Sequence, residues 1–261
     1  MRKECIIDST YFREYRTKFG FSNQNTLKDF LAGKDVKPIV DYSYIEEINK
    51  RLCEIIKKIN NVVPKDQKIK EMDKFCKEHL IEVYKKLKEN KILPLLNNQG
   101  RRPEQVYFSW MRGYVISNYF LKALSDIFGI NLEEIEIIGE DDFTNLETFK
   151  RTPTADLQIK KGKEKIRIEM QAGFQGINDI KQHKVLEAKR MYNKDKTITL
   201  AIHFDIFNGQ VAFIKLNEIE EDSVNWITRQ QMEGQTVFNI DQNYFIWKLM
   251  ENPPKYEEIQ F

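Results

Sequence analysis

Residues 152–173 read TPTADLQIKKGKEKIRIEMQAG, and the register of the two strands inside this stretch decides what the fold can do. The runs ADLQI (155–159) and KIRIEMQ (165–171) alternate apolar and polar residues as half-buried strands do, with a turn around Gly162 between them. Alternation puts Asp156 and Gln158 on one face of the first run, opposite Leu157 and Ile159. In the second run Arg167, Glu169 and Gln171 oppose Ile166, Ile168 and Met170. The hairpin therefore buries one face and carries a carboxylate from each strand on the other.

The turn determines whether those carboxylates meet. With Gly162-Lys163 as the central pair, glycine comes first, as a type II′ turn prefers, and Asp156 falls opposite Glu169. With Lys161-Gly162 central, Asp156 faces Arg167 and a cross-strand ion pair results. The glycine-first turn is the better of the two. Like charges opposite one another destabilise a sheet, so this register calls for a cation, and two hard oxygen donors suit Mg²⁺ or Mn²⁺.

Outward from the hairpin, EIEIIGEDD (134–142) is a possible first strand, followed by a linker, FTNLETFKR (143–151). Upstream, a helix from Pro103 to Phe128 carries Val106, Trp110, Gly113, Ser117, Phe120, Leu124 and Phe128 on one stripe, with proline at its first turn. Downstream, INDIKQHKVLEAKRMYNK (177–194) is helical, and TITLAIHFDIF and QVAFIKL flank Asn208-Gly209, a strong hairpin signal. Residues 103–216 thus read α-β-β-β-α-β-β.

The first 98 residues differ in character. NTLKDFLAG (25–33) is a short helix ending at Gly33. Ile45, Ile48, Leu52, Ile55 and Ile59, then Ile69, Met72, Cys76, Leu80, Val83 and Leu87, keep three-four spacing on either side of Pro64, an αα-hairpin. Residues 20–60 could be a DNA-reading helix-turn-helix, but ordinary helix packing accounts for the same spacing. The expected division is a helical region, 1–98, serving dimerisation or DNA contact, and a core, 99–261.

With 42 basic and 40 acidic side chains the net charge is +2, so any polyanion site must come from local clustering. Such a rim is available: Arg101, Arg102, Lys150 and Arg151 near the approaches to the hairpin, and Lys181, His183, Lys184, Lys189 and Arg190 on the following helix. A solvated helix face would look the same. NWITRQQMEGQ (225–235) supplies Arg229, Gln230 and Gln231, chemically suited to base edges. His79 and His203 sit within apolar patterns and read as structural. Three scattered cysteines, Cys5, Cys53 and Cys76, without zinc-motif spacing, and the lack of an apolar leader or long apolar run, point to a reduced, soluble, cytoplasmic protein without membrane contact.

An acid early in one strand, then acid-x-Lys in its hairpin partner, between a helix before and a helix after, is the pattern of the PD-(D/E)xK nuclease superfamily, which includes most type II restriction endonucleases. Thr154-Ala155-Asp156 followed by Glu169-Met170-Gln171 resembles it, with the proline at 153 and Gln171 where the lysine usually stands. The resemblance implies an α/β (α+β), restriction-endonuclease-like αβββαβ core with a mixed central sheet. It implies Asp156 and Glu169 as ligands of Mg²⁺, with Mn²⁺ able to substitute, Gln171 holding the attacking water, and Glu104 matching a further acid on the preceding helix. It also implies double-stranded DNA as substrate, cleavage at a short palindromic site by a homodimer, and a cognate DNA methyltransferase acting on the same site. Two other readings stay open: a repair or recombination nuclease of the superfamily, and a non-catalytic DNA-binding or assembly protein in which Gln171 marks lost chemistry.

Overall fold

The computed structural model describes residues 8–33, 35–96, 101–139, 155–220, 222–229 and 234–261. The chain begins with α1 (Ser9–Phe19), capped by Asp8 and closed by Gly20 in a left-handed conformation, and α2 (Gln24–Leu31). Neither helix buries a residue, and Tyr11, Tyr15 and Phe19 stack along one exposed side of α1.

The expected αα-hairpin is present. It consists of α3 (Tyr42–Val62) and a second arm of α4 (Met72–Cys76), a π-helical turn (Lys77–Ile81) and α5 (Glu82–Glu89). Asn60 closes it: its amide nitrogen donates to the Ile69 carbonyl at 3.1 Å and its carbonyl accepts from Ile69 N–H at 2.8 Å. The same carbonyl accepts from the Tyr119 hydroxyl at 2.9 Å, fastening the pair to the next helix. A second buried clasp, Tyr107 hydroxyl to Asn49, holds at 2.7 Å.

The helix expected from Pro103 to Phe128 is two helices, α6 (Pro103–Tyr119) and α7 (Leu121–Phe128). The break falls at Phe120, whose ring stacks on Phe204 of the sheet at 4.2 Å; side-chain packing overrides the helical period there. Tyr107, Met111, Val115, Ile116 and Tyr119 are buried along with the expected Val106 and Trp110, so α6 is covered on far more than one stripe.

The central sheet has six strands: β1 (Glu136–Ile137), β2 (Leu157–Lys161), β3 (Glu164–Gly173), β5 (Ile198–Asp205), β6 (Gln210–Lys215) and β9 (Phe245–Lys248), in the order β1-β2-β3-β5-β6-β9. It is mixed, because β3 and β5 run parallel while the other neighbours are antiparallel. The crossover between the parallel strands carries β4 (Asp179–Lys181), then α8 (Gln182–Asp195). β4 pairs with β8 (Gln235–Asn239), which pairs with β7 (Ile227–Arg229), a small second sheet.

Of EIEIIGEDD only Glu136 and Ile137 pair, with Gln158 and Leu157; residues 140–154, including the whole of the expected linker with Lys150 and Arg151, lie outside the described residues. The Asn208-Gly209 hairpin forms with a longer loop than an Asn-Gly turn alone, since Asp205 pairs with Gln210 across residues 206–209. Asp205 shapes that loop by accepting from Asn208 N–H at 3.1 Å and from its amide at 2.7 Å.

One face of the sheet, with Ile166, Ile168, Leu200, Ile202 and Phe204, shares a continuous buried core with α3, α5, α6 and α7. The other face, with Ala201, Ala212 and Ile214, packs under α8 and the small sheet through Val185, Ala188 and Phe238. The fold is therefore mixed α/β, with a helical N-terminal region and a mixed central sheet between two layers.

Candidate active site

The hairpin takes the glycine-first register. Gly162 has φ +61° while Lys163 keeps a negative φ, as a type II′ turn requires, and Leu157 pairs with Ile168. Continued one residue beyond the ladder, this register sets Asp156 opposite Glu169 and leaves Arg167 beside Gln158. Asp156 is locked to the second strand: its Oδ2 accepts from Met170 N–H at 2.7 Å. Its carbonyl accepts from Ile138 and Gly139 N–H, both at 3.1 Å, which fixes the entry to β2.

The polar face of the hairpin is covered at Glu169 alone, its other side chains being half-buried. Helix α8 packs beside it over β5, and Lys184, in the first turn of that helix, places Nζ 2.8 Å from Glu169 Oε2. Glu169 is buried, only 6% exposed. Burial pushes its carboxyl above the usual carboxylate range, while the ammoniums of Lys184 and Lys181 and a hydrogen bond from the Gln171 side chain pull it back. A crevice of about 10 Å³, lined by Glu169, Lys184, Arg167 and Thr199, lies beneath the helix and has room for about one water. On the other side of Gln171 a groove of about 340 Å³ opens between α6 and the end of β3.

Beyond the groove the chain turns back at Gly173. A Cβ there would come within 3.2 Å of the Ile177 carbonyl and 3.3 Å of His203 Nε2, so a larger residue would have to push the loop or the imidazole back by a few tenths of an ångström. This close approach brings Asn178 Oδ1 to 2.7 Å from His203 Nε2 and the Asn178 amide to 3.1 Å from Asp205 Oδ2. Burial lowers the His203 pKa to about 4, against the pull of Asp205 and Asp179, so the imidazole is neutral at ordinary pH. His203, expected to be structural, belongs to a buried polar network. His183, beside Lys184, is also shifted down, by burial and by the two neighbouring lysines.

The remaining expected residues are dispersed. Glu104 lies at the start of α6, about 12 Å along the helix from Arg112 at the groove. Its buried carboxylate accepts from Asp41 N–H at 2.6 Å and from the Arg102 guanidinium at 3.1 Å, joining the start of α3 to the start of α6. Arg102 belongs to this junction through its bonds to Glu104. Arg229 donates to Asp179 Oδ2 at 2.9 Å within the small sheet, and Gln230 and Gln231 lie outside the described residues. Lys181 precedes α8 and lines the groove. No cluster of three or more metal-ligating side chains occurs among the described residues.

Sequence reasoning missed two features. Lys184 read as a rim residue because helical spacing could not show that α8 packs beside Glu169. Arg112 was passed over, although it is the single charged residue between Glu104 and Lys122 in a helix otherwise buried nearly all round.

No protein-family model matches this sequence, and no curated protein matches it. Among solved structures, the Holliday junction resolvase Hjc of Archaeoglobus fulgidus is similar over 36% of this chain and 66% of its own length, at 13% identity and a TM-score of 0.26. A likeness at that level leaves the site to be read from its own geometry.

Proposed function

We propose that this chain is a metal-dependent nuclease of the PD-(D/E)xK kind, acting as a type II restriction endonuclease on double-stranded DNA at a short specific site. The observation that carries the reading is the register: Gly162 turns the hairpin so that Asp156 and Glu169 oppose one another, with Gln171 two residues further along the same strand. Two opposed carboxylates fit a Mg²⁺ or Mn²⁺ ion, which commonly takes only one or two protein carboxylates and fills its remaining positions with water and substrate phosphate. When bound, the ion supplies a water acidic enough to act as hydroxide near neutral pH and offsets charge on the leaving oxygen.

The protein's own residues do the rest. Asp156 is held in place by Met170 N–H, so its direction is set before any ligand arrives. Gln171 stands between Glu169 and the groove, where its amide can hold a water or a phosphate oxygen. Lys184 supplies from α8 the positive charge that the strand lacks at position 171. A two-fold dimer would present two such centres to the two strands. A methyltransferase acting on the same site is the implied companion, and Arg101, Arg102, Lys181 and Arg229 remain proposed DNA contacts.

A non-catalytic DNA-binding role is favoured by one observation, that Lys184 already compensates Glu169 without a metal. Incubation with phage or plasmid DNA separates the readings. Discrete fragments that require Mg²⁺ or Mn²⁺, and that disappear in Asp156→Ala and Glu169→Ala while binding persists, support the endonuclease. Binding without cutting across both metals supports the alternative.

A further inference from the structure

We infer that the groove beside Gln171 is a seat for a backbone phosphate of the nucleic-acid strand, with Arg112 as its anchoring guanidinium; this rests on reading the neighbouring acids as a DNA-cutting centre. Arg112 is the single charged residue of α6 beyond Glu104 in its first turn. Its guanidinium lies 5.5 Å from the Phe108 ring, one turn earlier in the helix, and 5.2 Å from the Phe174 ring on the loop after β3. It is half-buried, and among the described residues no carboxylate pairs with it. Burial alone draws its pKa down, without an acid to oppose the shift. The two rings offset part of the lost hydration, yet a desolvated cation without an anion remains a standing cost.

The surroundings fit a phosphate as the missing anion. The groove, about 340 Å³, is also lined by Ser109, Gln171 and Lys181, all able to donate to phosphate oxygens. Its carboxylate, Asp179, is already engaged by Arg229 at 2.9 Å and by Asn239 at 3.2 Å. Gly113 leaves the α6 wall open, since a Cβ there would meet nothing within 4 Å. A guanidinium fixed between two rings loses little freedom on binding, and its planar fork matches two phosphate oxygens.

The test is fluorescence anisotropy of labelled duplex DNA in EDTA, titrated between about 50 and 200 mM salt, with wild type, Arg112→Met and Arg112→Lys. Arg112→Met should bind about tenfold more weakly, with a log–log salt slope shallower by about 0.9, the signature of one lost phosphate contact. Arg112→Lys should keep the slope and recover only part of the affinity. Arg112→Met should melt no lower than wild type, because it removes a desolvated charge and keeps the bulk.

Wild-type affinity and slope in Arg112→Met overturn the inference, as does loss of binding in both variants accompanied by lower melting temperatures. Absence of duplex binding by the wild type overturns it too. Metal-dependent cutting is measured separately. Arg112-dependent binding without cutting removes the nuclease reading and leaves the phosphate seat, and cutting with Arg112-independent binding does the reverse.

Discussion

Lys184 Nζ lies 2.8 Å from Glu169 Oε2, an ion pair joining the first turn of α8 to the second strand of the hairpin, with side-chain exposures of only 18% and 8%. Removing one member of such a pair leaves the other charge buried and uncompensated. Lys184→Met should therefore cost about 3 kcal/mol of folding stability in urea denaturation. Adding Glu169→Gln to Lys184→Met should restore much of the loss. Additive losses in the double variant would show that the two side chains are not coupled.

The same burial bears on metal binding. Because desolvation holds the Glu169 carboxyl above its usual range, a proton must leave before the carboxylate can ligate. Affinity for Mg²⁺ or Mn²⁺, followed by calorimetry, should rise with pH through that raised pKa and level off above it. Glu169→Gln should abolish the rise. An affinity that stays flat from mildly acidic to neutral pH in the wild type would count against Glu169 as a ligand.

Gly162 sets the register from a left-handed conformation, φ +61°, and a Cβ at this position would meet nothing within 4 Å, so backbone strain alone should govern its replacement. Gly162→Ala should cost about 1 kcal/mol and Gly162→Asn less, since asparagine tolerates that region. Equal stability of all three proteins in thermal melts would mean that the turn is not of the glycine-first type.

Glu104 was expected to be a third acid, and its bonds to Asp41 N–H and Arg102 give it a joining role. Burial works to raise its pKa, but the hydrogen bond from Asp41 and the Arg102 guanidinium win and hold it low. Glu104→Ala should cost about 2 kcal/mol, the value of a charged hydrogen bond, while the folded fraction cuts DNA at the wild-type rate. A loss of cutting in fully folded Glu104→Ala would return the residue to the metal centre.

How much of this was legible in the sequence follows the range of the interactions. The hairpin and its register depend on residues within one turn of Gly162: alternation gave the two faces but left two registers open, and the preference for glycine first in the turn favoured the one that forms. The αα-hairpin was equally local. What spacing could not show depends on contacts distant in sequence: the break at Phe120 follows from its stacking on Phe204, and the burial of Glu169 follows from α8 packing beside it. Arg112 is an intermediate case. One charge in an apolar helix was visible, but its meaning depended on Phe174 arriving from β3.

His203 gives the fold a pH dependence of definite sign. Burial lowers its pKa from 6.5 to about 4, so between those values the unfolded chain binds a proton that the folded chain does not. Stability must then fall on acidification through that window, by about 2 kcal/mol between about pH 7 and pH 5. Asp205, held low by its hydrogen bonds from Asn208 and Asn178 against burial, loses its contribution only below the ordinary aspartate range, outside the window. Glu169, shifted upward, acts in the opposite sense within it, and His79 and His183, both shifted down, act in the same sense as His203. The informative quantity is therefore a difference: urea denaturation of wild type and His203→Gln at the two pH values. His203→Gln should lose about 2 kcal/mol less than wild type on going from pH 7 to pH 5. Parallel losses would show that the buried imidazole is not the source of the acid sensitivity.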